Sequence, residues 1–432
     1  MLGGALPGFR DFYPEDFARR QYIFTVWRTV VSRFGFVEYD GPPLEPLELY
    51  TKKSGEEIVG QLYAFTDRGG REVALRPEMT PTLARMVAAR AATLRKPVRW
   101  FSIPQLFRYE RQQKGRLREH FQLNVDIVGE AGVAADAELL AIAVEVVRAF
   151  GLGPADVEVR VSDRELINAL LDAWGLPERA RQAAYAAIDK LEREEFGALV
   201  ERLCEAGVDR ATAERVLEGA RASDIEEVKR LAENRPDLRI PLERMATCLE
   251  LLAAHGVREW VTVDLSIVRG LAYYTGIVFE MFDRSRQFRA ICGGGRYDRL
   301  LAELGGVDLP ALGFGMGDVV LGELLRARGL LTANESAPQV WVAFLEEQHR
   351  PAAVAAAAYL RRAGVSVEYS LRPQSLSRQL KSASTRGVRY ALIVTSDISP
   401  DAPVELRDMV DSSQRSTTLA SVAEALAPPR RD

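Results

Sequence analysis

Phe107-Arg108-Tyr109-Glu110-Arg111 and, beyond a basic loop, Phe121-Gln122-Leu123-Asn124-Val125-Asp126 are the two segments on which the reading of this chain turns. Successive side chains of a strand point to opposite faces, so Gln122, Asn124 and Asp126 share one side of theirs, as do Arg108 and Glu110. A charged floor on a sheet is costly unless a ligand or partner compensates it. An arginine on that floor can make two hydrogen bonds to a phosphate and draw charge from a pentavalent phosphoryl centre. The plainer alternative is a set of salt bridges on a solvent-facing sheet. The density of Arg, Glu, Gln and Asp across both segments favours a binding floor. Arg111, Lys114, Arg116 and Arg118 crowd around Gly115 between them, enough charge to meet the end of an RNA or to form a solvated hairpin tip.

Outward from this pair, the chain reads as a strand over Val98 to Arg111 and a second over Phe121 to Val128, with an apolar helix from Ala134 to Phe150 ended by Gly151. Upstream, Glu15 to Phe34 reads as a helix, Gly35 to Tyr39 as a strand, and Leu62 to Thr66 with Glu72 to Leu75 as a hairpin turned by Asp67-Arg68-Gly69-Gly70. Arg76-Pro77-Glu78-Met79-Thr80 then puts a carboxylate and a hydroxyl at a strand exit, suited to an ammonium group, before a helix over Thr82 to Arg95. Glu78 could equally cap that helix.

Three glycine-rich stretches follow. Arg269-Gly270-Leu271-Ala272-Tyr273-Tyr274-Thr275-Gly276 joins two predicted strands, and Gly293-Gly294-Gly295-Arg296-Tyr297-Asp298 reads as a tight turn beside a strand over Phe288 to Ile291. Ala311-Leu312-Gly313-Phe314-Gly315-Met316-Gly317-Asp318 is expected to open a helix, with Gly315 and Gly317 letting adenine or ribose lie against the backbone; close packing explains the glycines nearly as well. None has the form of a GxxxxGK phosphate loop or the dinucleotide fingerprint.

The 432 residues suffice for two or three cores. We expect an α+β chain with an antiparallel sheet core flanked by helices. Its first part spans 1–165, a helical insertion spans 166–256, the core resumes over 257–331, and a linker at 332–337 leads to an α/β domain over 338–432. A net charge of -4 argues against a strongly basic nucleic-acid wrapper. Three dispersed cysteines and three dispersed histidines suggest neither a disulfide framework nor a metal site, and no resident metal is expected. No apolar run of membrane length occurs and no export signal opens the chain, so a cytoplasmic, non-membrane protein is expected.

Together these stretches resemble the histidyl-tRNA synthetase family, from Gly8 to about Gln414. Gly35 to Glu45 looks like the first class II motif, Phe107 to Asp126 like the second and Gly313 to Gly322 like a degenerate third. The stretches at 269–276 and 293–298 are similar to the two histidine boxes peculiar to that family. The resemblance implies ATP with Mg2+ as substrate complex, L-histidine and tRNA(His) as partners, and a homodimer. It assigns Glu78, Thr80 and Gln122 to the ammonium group of histidine and Asp126 and Tyr274 to its imidazole. Arg108 and Arg269 fall to the ATP α-phosphate as catalytic cations, and Glu110 and Tyr273 to the surroundings of nucleotide and substrate. Gln113, Lys114 and Arg116 would meet the acceptor end of the RNA, the helical insertion its acceptor arm, and the C-terminal domain the anticodon.

Three positions depart from the pattern: Asp126 where bacterial members commonly carry glutamate, Ala272 in place of an acidic residue, and Val319-Val320 in place of a Glu-Arg pair whose arginine clamps the ATP γ-phosphate. That last contact is lost or supplied from elsewhere. The implied chemistry is attack of the histidine carboxylate on the α-phosphorus, then transfer to the terminal ribose of the RNA. A different class of function is a synthetase-like regulatory subunit of the ATP phosphoribosyltransferase of histidine biosynthesis, which the altered third motif favours and the histidine boxes, basic loop and full C-terminal domain disfavour.

Overall fold

Along Glu119–Val128, Leu123, Val125 and Ile127 are buried in the main apolar core, while Gln122, Asn124 and Asp126 fall on the opposite face. That alternation sets the two sides of a nine-stranded sheet. Its strands are β1 (Val37–Glu38), β2 (Val98–Ser102), β3 (Gln105–Phe107), β4 (Glu119–Val128), β5 (Val157–Asp163), β6 (Val261–Val263), β7 (Ile277–Asp283), β8 (Cys292–Arg296) and β9 (Ala311–Gly317). Their order is β1-β2-β4-β9-β8-β7-β5-β6, with β3 pairing the start of β4. The five pairings from β2 to β5 are antiparallel, and only the two edge pairs, β1 with β2 and β5 with β6, are parallel. The computed structural model describes residues 4–51, 60–110, 115, 117–231, 235–268, 274–332, 337–395 and 399–428. They divide into two units, Met1–Ala333 and Asn334–Asp432.

One face of the sheet is sealed by helices. Those around the sheet are α1 (Pro14–Arg33), α2 (Thr80–Arg90), α3 (Val133–Ala149), α4 (Arg239–Ala254) and α5 (Asp318–Ala327). The apolar α3 is buried along nearly its whole length against the side carrying Val125, Val159, Met281, Leu312 and Phe314, and Ile23, Trp27 and Val31 of α1 join the same core. Such burial contributes about 1.5 to 3 kcal/mol for each large apolar side chain. Arg296 reaches this side from β8, and its guanidinium meets Asp136 of α3 through Nε at 3.1 Å and Nη2 at 2.5 Å. Burial pushes the Asp136 carboxyl up and the Arg296 pair opposes that rise, so neither charge is stranded. Between β5 and β6 the described chain is helical, ending in α4, whose Arg244 binds Asp163 at the end of β5.

Several expectations are corrected. No single strand runs over Val98 to Arg111: β2 stops at Ser102, β3 covers three residues, and Arg108 to Glu110 are irregular. Pro104 lies at the break and has no N–H to continue a ladder. Gly293-Gly294-Gly295 is no turn but the middle of β8, and the strand starts at Cys292 rather than Phe288. Gly313 to Gly317 likewise belong to β9, and α5 begins only at Asp318. The helix expected over Thr82 to Arg95 is α2, beginning at Thr80 and ending at Arg90. Tyr63–Thr66 and Glu72–Leu75 do form the hairpin, with Gly69 and Arg71 N–H groups donating to Asp67 and Gly70 at φ 77°.

In the second unit a five-stranded sheet has Val340–Phe344 beside Val367–Tyr369 and Tyr390–Val394, both parallel to it. Pro403–Asp408 and Gln414–Thr418 extend it antiparallel. Buried Gln379 closes the end of the Val340–Phe344 strand, donating to the Phe344 carbonyl at 2.8 Å and accepting its N–H at 3.2 Å.

Candidate active site

On the face away from α3, the middle of the sheet is floored by glycine. Gly313, Gly315 and Gly317 of β9 stand opposite Asp126, Asn124 and Gln122 of β4, while Gly295 and Gly293 of β8 stand opposite Gly313 and Gly315. The reason for glycine is local. A β-carbon at Gly313 would collide with Asp126 Oδ1, and one at Gly315 would lie 2.6 Å from Gln122 Cδ, so these two polar side chains lie over their neighbours' backbone. At Gly317 a β-carbon would meet nothing within 4 Å, which leaves backbone a flat ligand can approach.

Above this floor is a cavity of about 960 Å³, lined by Arg108, Glu110, Gln122, Tyr274, Gly315 and Gly317 among the expected residues. Its size is near the upper end for small-molecule sites, which run from about 300 to 1,000 Å³. Arg108 is set beside the Arg76–Thr80 segment by donating from Nε to the Pro77 carbonyl at 2.9 Å. Burial holds the Tyr274 hydroxyl well above its ordinary range, and Glu78, Asp126, Cys292 and Glu280 around it add to the rise. Carboxylates from three separate parts of the chain thus surround one phenol, an arrangement suited to a cationic or N–H-bearing ligand. Thr80 is the first residue of α2 and partly buried. The cap position of that helix is Met79, so Glu78 does not occupy it. Arg269, Tyr273, Gln113, Lys114 and Arg116 lie outside the described residues.

Asp126 is buried and accepts a hydrogen bond from the Tyr297 hydroxyl. Burial pushes its carboxyl up to about 7, against the opposing pull of that hydrogen bond. In the sequence Tyr297 stands out only as part of a glycine-rich turn; in the fold it also packs in a small apolar core with Leu83, Val128 and Leu300, against which Trp100 and Tyr274 rest. His120 also lines the cavity, and burial, with Arg108 and Arg10 nearby, lowers it to about 3, so it is a neutral imidazole at physiological pH. A further group has no local signal: Arg10 donates from Nε to Glu119 at 2.6 Å and from Nη1 to Asp318 at 2.9 Å, tying the N-terminal segment, β4 and α5 together. Asp318 also accepts the Phe121 N–H at 2.9 Å. Arg193, Arg286 and Arg289 add positive charge to the cavity wall, opposed by Glu192, Glu280 and Glu323. The run Arg284-Ser285-Arg286-Gln287-Phe288-Arg289 is where the sequence could have disclosed two of them.

A family model described as histidyl-tRNA synthetase matches residues 8–317 of this chain. The chain belongs to the histidyl-tRNA synthetase family. A second model, described as an anticodon binding domain, matches residues 339–427. Among similar proteins, the histidine–tRNA ligase of Opitutus terrae is 46% identical over 429 residues, covering 95% of this chain and 94% of that protein. The chloroplastic/mitochondrial histidine–tRNA ligase of Arabidopsis thaliana is 38% identical over 415 residues, covering 96% and 85% respectively. The fold is that of the crystal structure of histidyl-tRNA synthetase from Nostoc sp. PCC 7120, with a TM-score of 0.83 at 24% identity over 99% of both chains. Both curated relatives are named as ligases and match over most of their length, which favours the synthetase over the regulatory subunit. In this member of the histidyl-tRNA synthetase family, Val319 and Val320 at the start of α5 line the cavity.

Proposed function

We propose that this chain activates histidine with ATP to form histidyl-adenylate and transfers the histidyl group to the 3′ end of tRNA(His). The observation that carries the reading is the juxtaposition, on one glycine floor, of Gln122 and Tyr274 with Arg108 around a single cavity, and of Asp126 and Glu78 close to Tyr274. An amino acid seated there has acceptors for its ammonium group in Glu78 and Gln122, with Thr80 near the same strand exit. Asp126 and Tyr274 face its ring, and the difference between accepting an imidazole N–H and leaving a buried carboxylate without its ligand is what rejects apolar residues of similar size.

In the first step a histidine carboxylate oxygen attacks the α-phosphorus, the new O–P bond forms, and the bond to pyrophosphate breaks. Arg108, with Arg269 as its counterpart, stabilises the equatorial oxygens as charge builds there. Glu110 and Glu323 are cavity carboxylates that would face the magnesium of the ATP complex, which would supply charge neutralisation for the departing pyrophosphate. Gly317, where a β-carbon would meet nothing within 4 Å, leaves backbone open to the nucleoside, whereas the space over Gly315 is taken by Gln122. In the second step a terminal ribose hydroxyl attacks the carbonyl carbon of the adenylate and AMP leaves. His120, lowered to about 3, is too weak a base to take the hydroxyl proton, and the oxygens of the substrate phosphate are the available acceptors.

We assign the catalytic core to 1–165 and 257–331, the acceptor-arm contact to the helical stretch 166–256 with Gln113, Lys114 and Arg116, and the anticodon to 338–432. Support for a homodimer is the exposure of Val37 and Leu44 along the first-motif segment. Two buried free thiols, Cys248 and Cys292, suit a reducing cytoplasm. No described helix is long and apolar enough to cross a membrane. Charging of tRNA(His) transcript with labelled histidine by the purified chain tests the function. Failure to charge, with co-purification of a catalytic phosphoribosyltransferase chain, would transfer the protein to the regulatory class.

A further inference from the structure

We propose that Arg289 is the cation that receives the terminal phosphates of ATP in this protein, at the place where Val319 and Val320 present only hydrocarbon. The inference rests on the adenylate-forming function proposed above and deepens it.

The ladder between β8 and β9 runs from Arg296 opposite Leu312 to Cys292 opposite Met316. It continues one step further, the Gly317 N–H donating to the Ile291 carbonyl at 3.4 Å. Beyond that point β9 turns into α5 at Asp318, and Val319 and Val320 in its first turn line the cavity. The segment leading into β8 from the other direction carries Arg289 two residues before Ile291, so the arginine stands across from the start of α5. It is exposed and lines the same cavity as the two valines.

The other cavity cations among the described residues stand elsewhere. Arg108 is held by the Pro77 carbonyl on the β4 side of the glycine floor, where it fits the α-phosphate, whereas Arg289 comes from the β8 side. Arg286 is drawn toward β5 and the helical stretch, with Nη2 at 3.7 Å from Glu158 and 4.0 Å from Glu192 and its guanidinium over the Phe282 ring at 4.3 Å. Arg193 belongs to that helical stretch itself. Meanwhile the valine end of the cavity has Glu323 on its wall, and a β-carbon on Gly115 would sit 3.6 Å from Val320. An anionic polyphosphate entering that end with its magnesium finds a carboxylate and two apolar side chains but no cation from α5, and a planar guanidinium binds phosphate oxygens in pairs. Among the described residues, Arg289 is the cavity cation on the segment next to that end.

The test is binding of ATP and of AMP, separately, to the full chain and to its R289A variant. AMP has no terminal phosphates to lose. The expected result is a loss of ATP affinity of order tenfold, and of at least about threefold. AMP affinity should stay within about twofold of the parent, and the KM for histidine in pyrophosphate exchange should be unchanged. R289A is a surface truncation, and equal thermal transitions of parent and variant serve as the folding check. The assignment is overturned if ATP affinity falls by less than about threefold, if ATP and AMP weaken together, or if R286A reproduces the selective loss. A parent chain that binds ATP but performs no histidine-dependent exchange refutes the proposed function while leaving the Arg289 measurement readable.

Discussion

Replacing Asp126 by Asn should make the fold more stable at neutral and alkaline pH while impairing histidine binding. The amide keeps an oxygen for the Tyr297 hydroxyl and nearly the same volume, so the perturbation is chiefly the loss of an ionisable group. In the open chain the Asp126 carboxyl has its ordinary value of 3.8, and burial pushes it up to about 7 in the fold. Between those values the native state holds a proton that the unfolded state has released, so stability falls as pH rises through this window and the penalty is complete above about pH 7. At about 1.4 kcal/mol per tenfold in proton affinity, the full penalty is of order 4 kcal/mol, less whatever relaxation around the carboxylate recovers. Chemical denaturation of parent and D126N from about pH 4 to 8 measures it, because every other titrating group cancels in the comparison. The advantage of D126N should grow by about 2 to 4 kcal/mol across that range, while its KM for histidine rises about tenfold or more. Parallel stability profiles with no divergence would refute the burial argument.

Gly313→Ala would drive a methyl into Asp126 Oδ1, so it should destabilise by about 1 to 3 kcal/mol and weaken histidine binding, read by thermal denaturation and the KM for histidine. Arg10→Ala leaves buried Glu119 and Asp318 without their shared cation and should cost about 3 kcal/mol, seen as a lowered denaturation midpoint. Arg108→Ala removes the floor cation and should slow pyrophosphate exchange by about 100-fold or more with the thermal transition little changed; an unchanged rate would remove Arg108 from the chemistry.

The legible parts are those where one face of an element is dry and the other wet. Gln122, Asn124 and Asp126 alternate with Leu123, Val125 and Ile127, and that pattern alone places three polar residues on one side of β4. Gly293-Gly294-Gly295 misleads for a physical reason. A glycine run has no side chains to alternate, and its residues are strand because neighbouring groups fill the space: a β-carbon at Gly294 would collide with the Gly313 carbonyl oxygen. The same holds for Gly313 and Gly315, whose place is taken by Asp126 and Gln122. Tyr297 and Asp126 are separated by 171 residues and Arg10 and Asp318 by 308, so pairing them needs the sheet order and not any local motif. The break between β2 and β3 is different, because its cause stands in the sequence. Pro104 has no N–H to offer a ladder, which is reason enough to divide Val98 to Arg111 into two strands.

Adenylate formation on the glycine floor is tested most directly by exchange of labelled pyrophosphate into ATP, run with the purified full chain at saturating magnesium and each amino acid in turn. The predicted result is exchange that requires histidine. Folded protein that gives no exchange with histidine, or exchanges equally well with an amino acid lacking an imidazole, would contradict it.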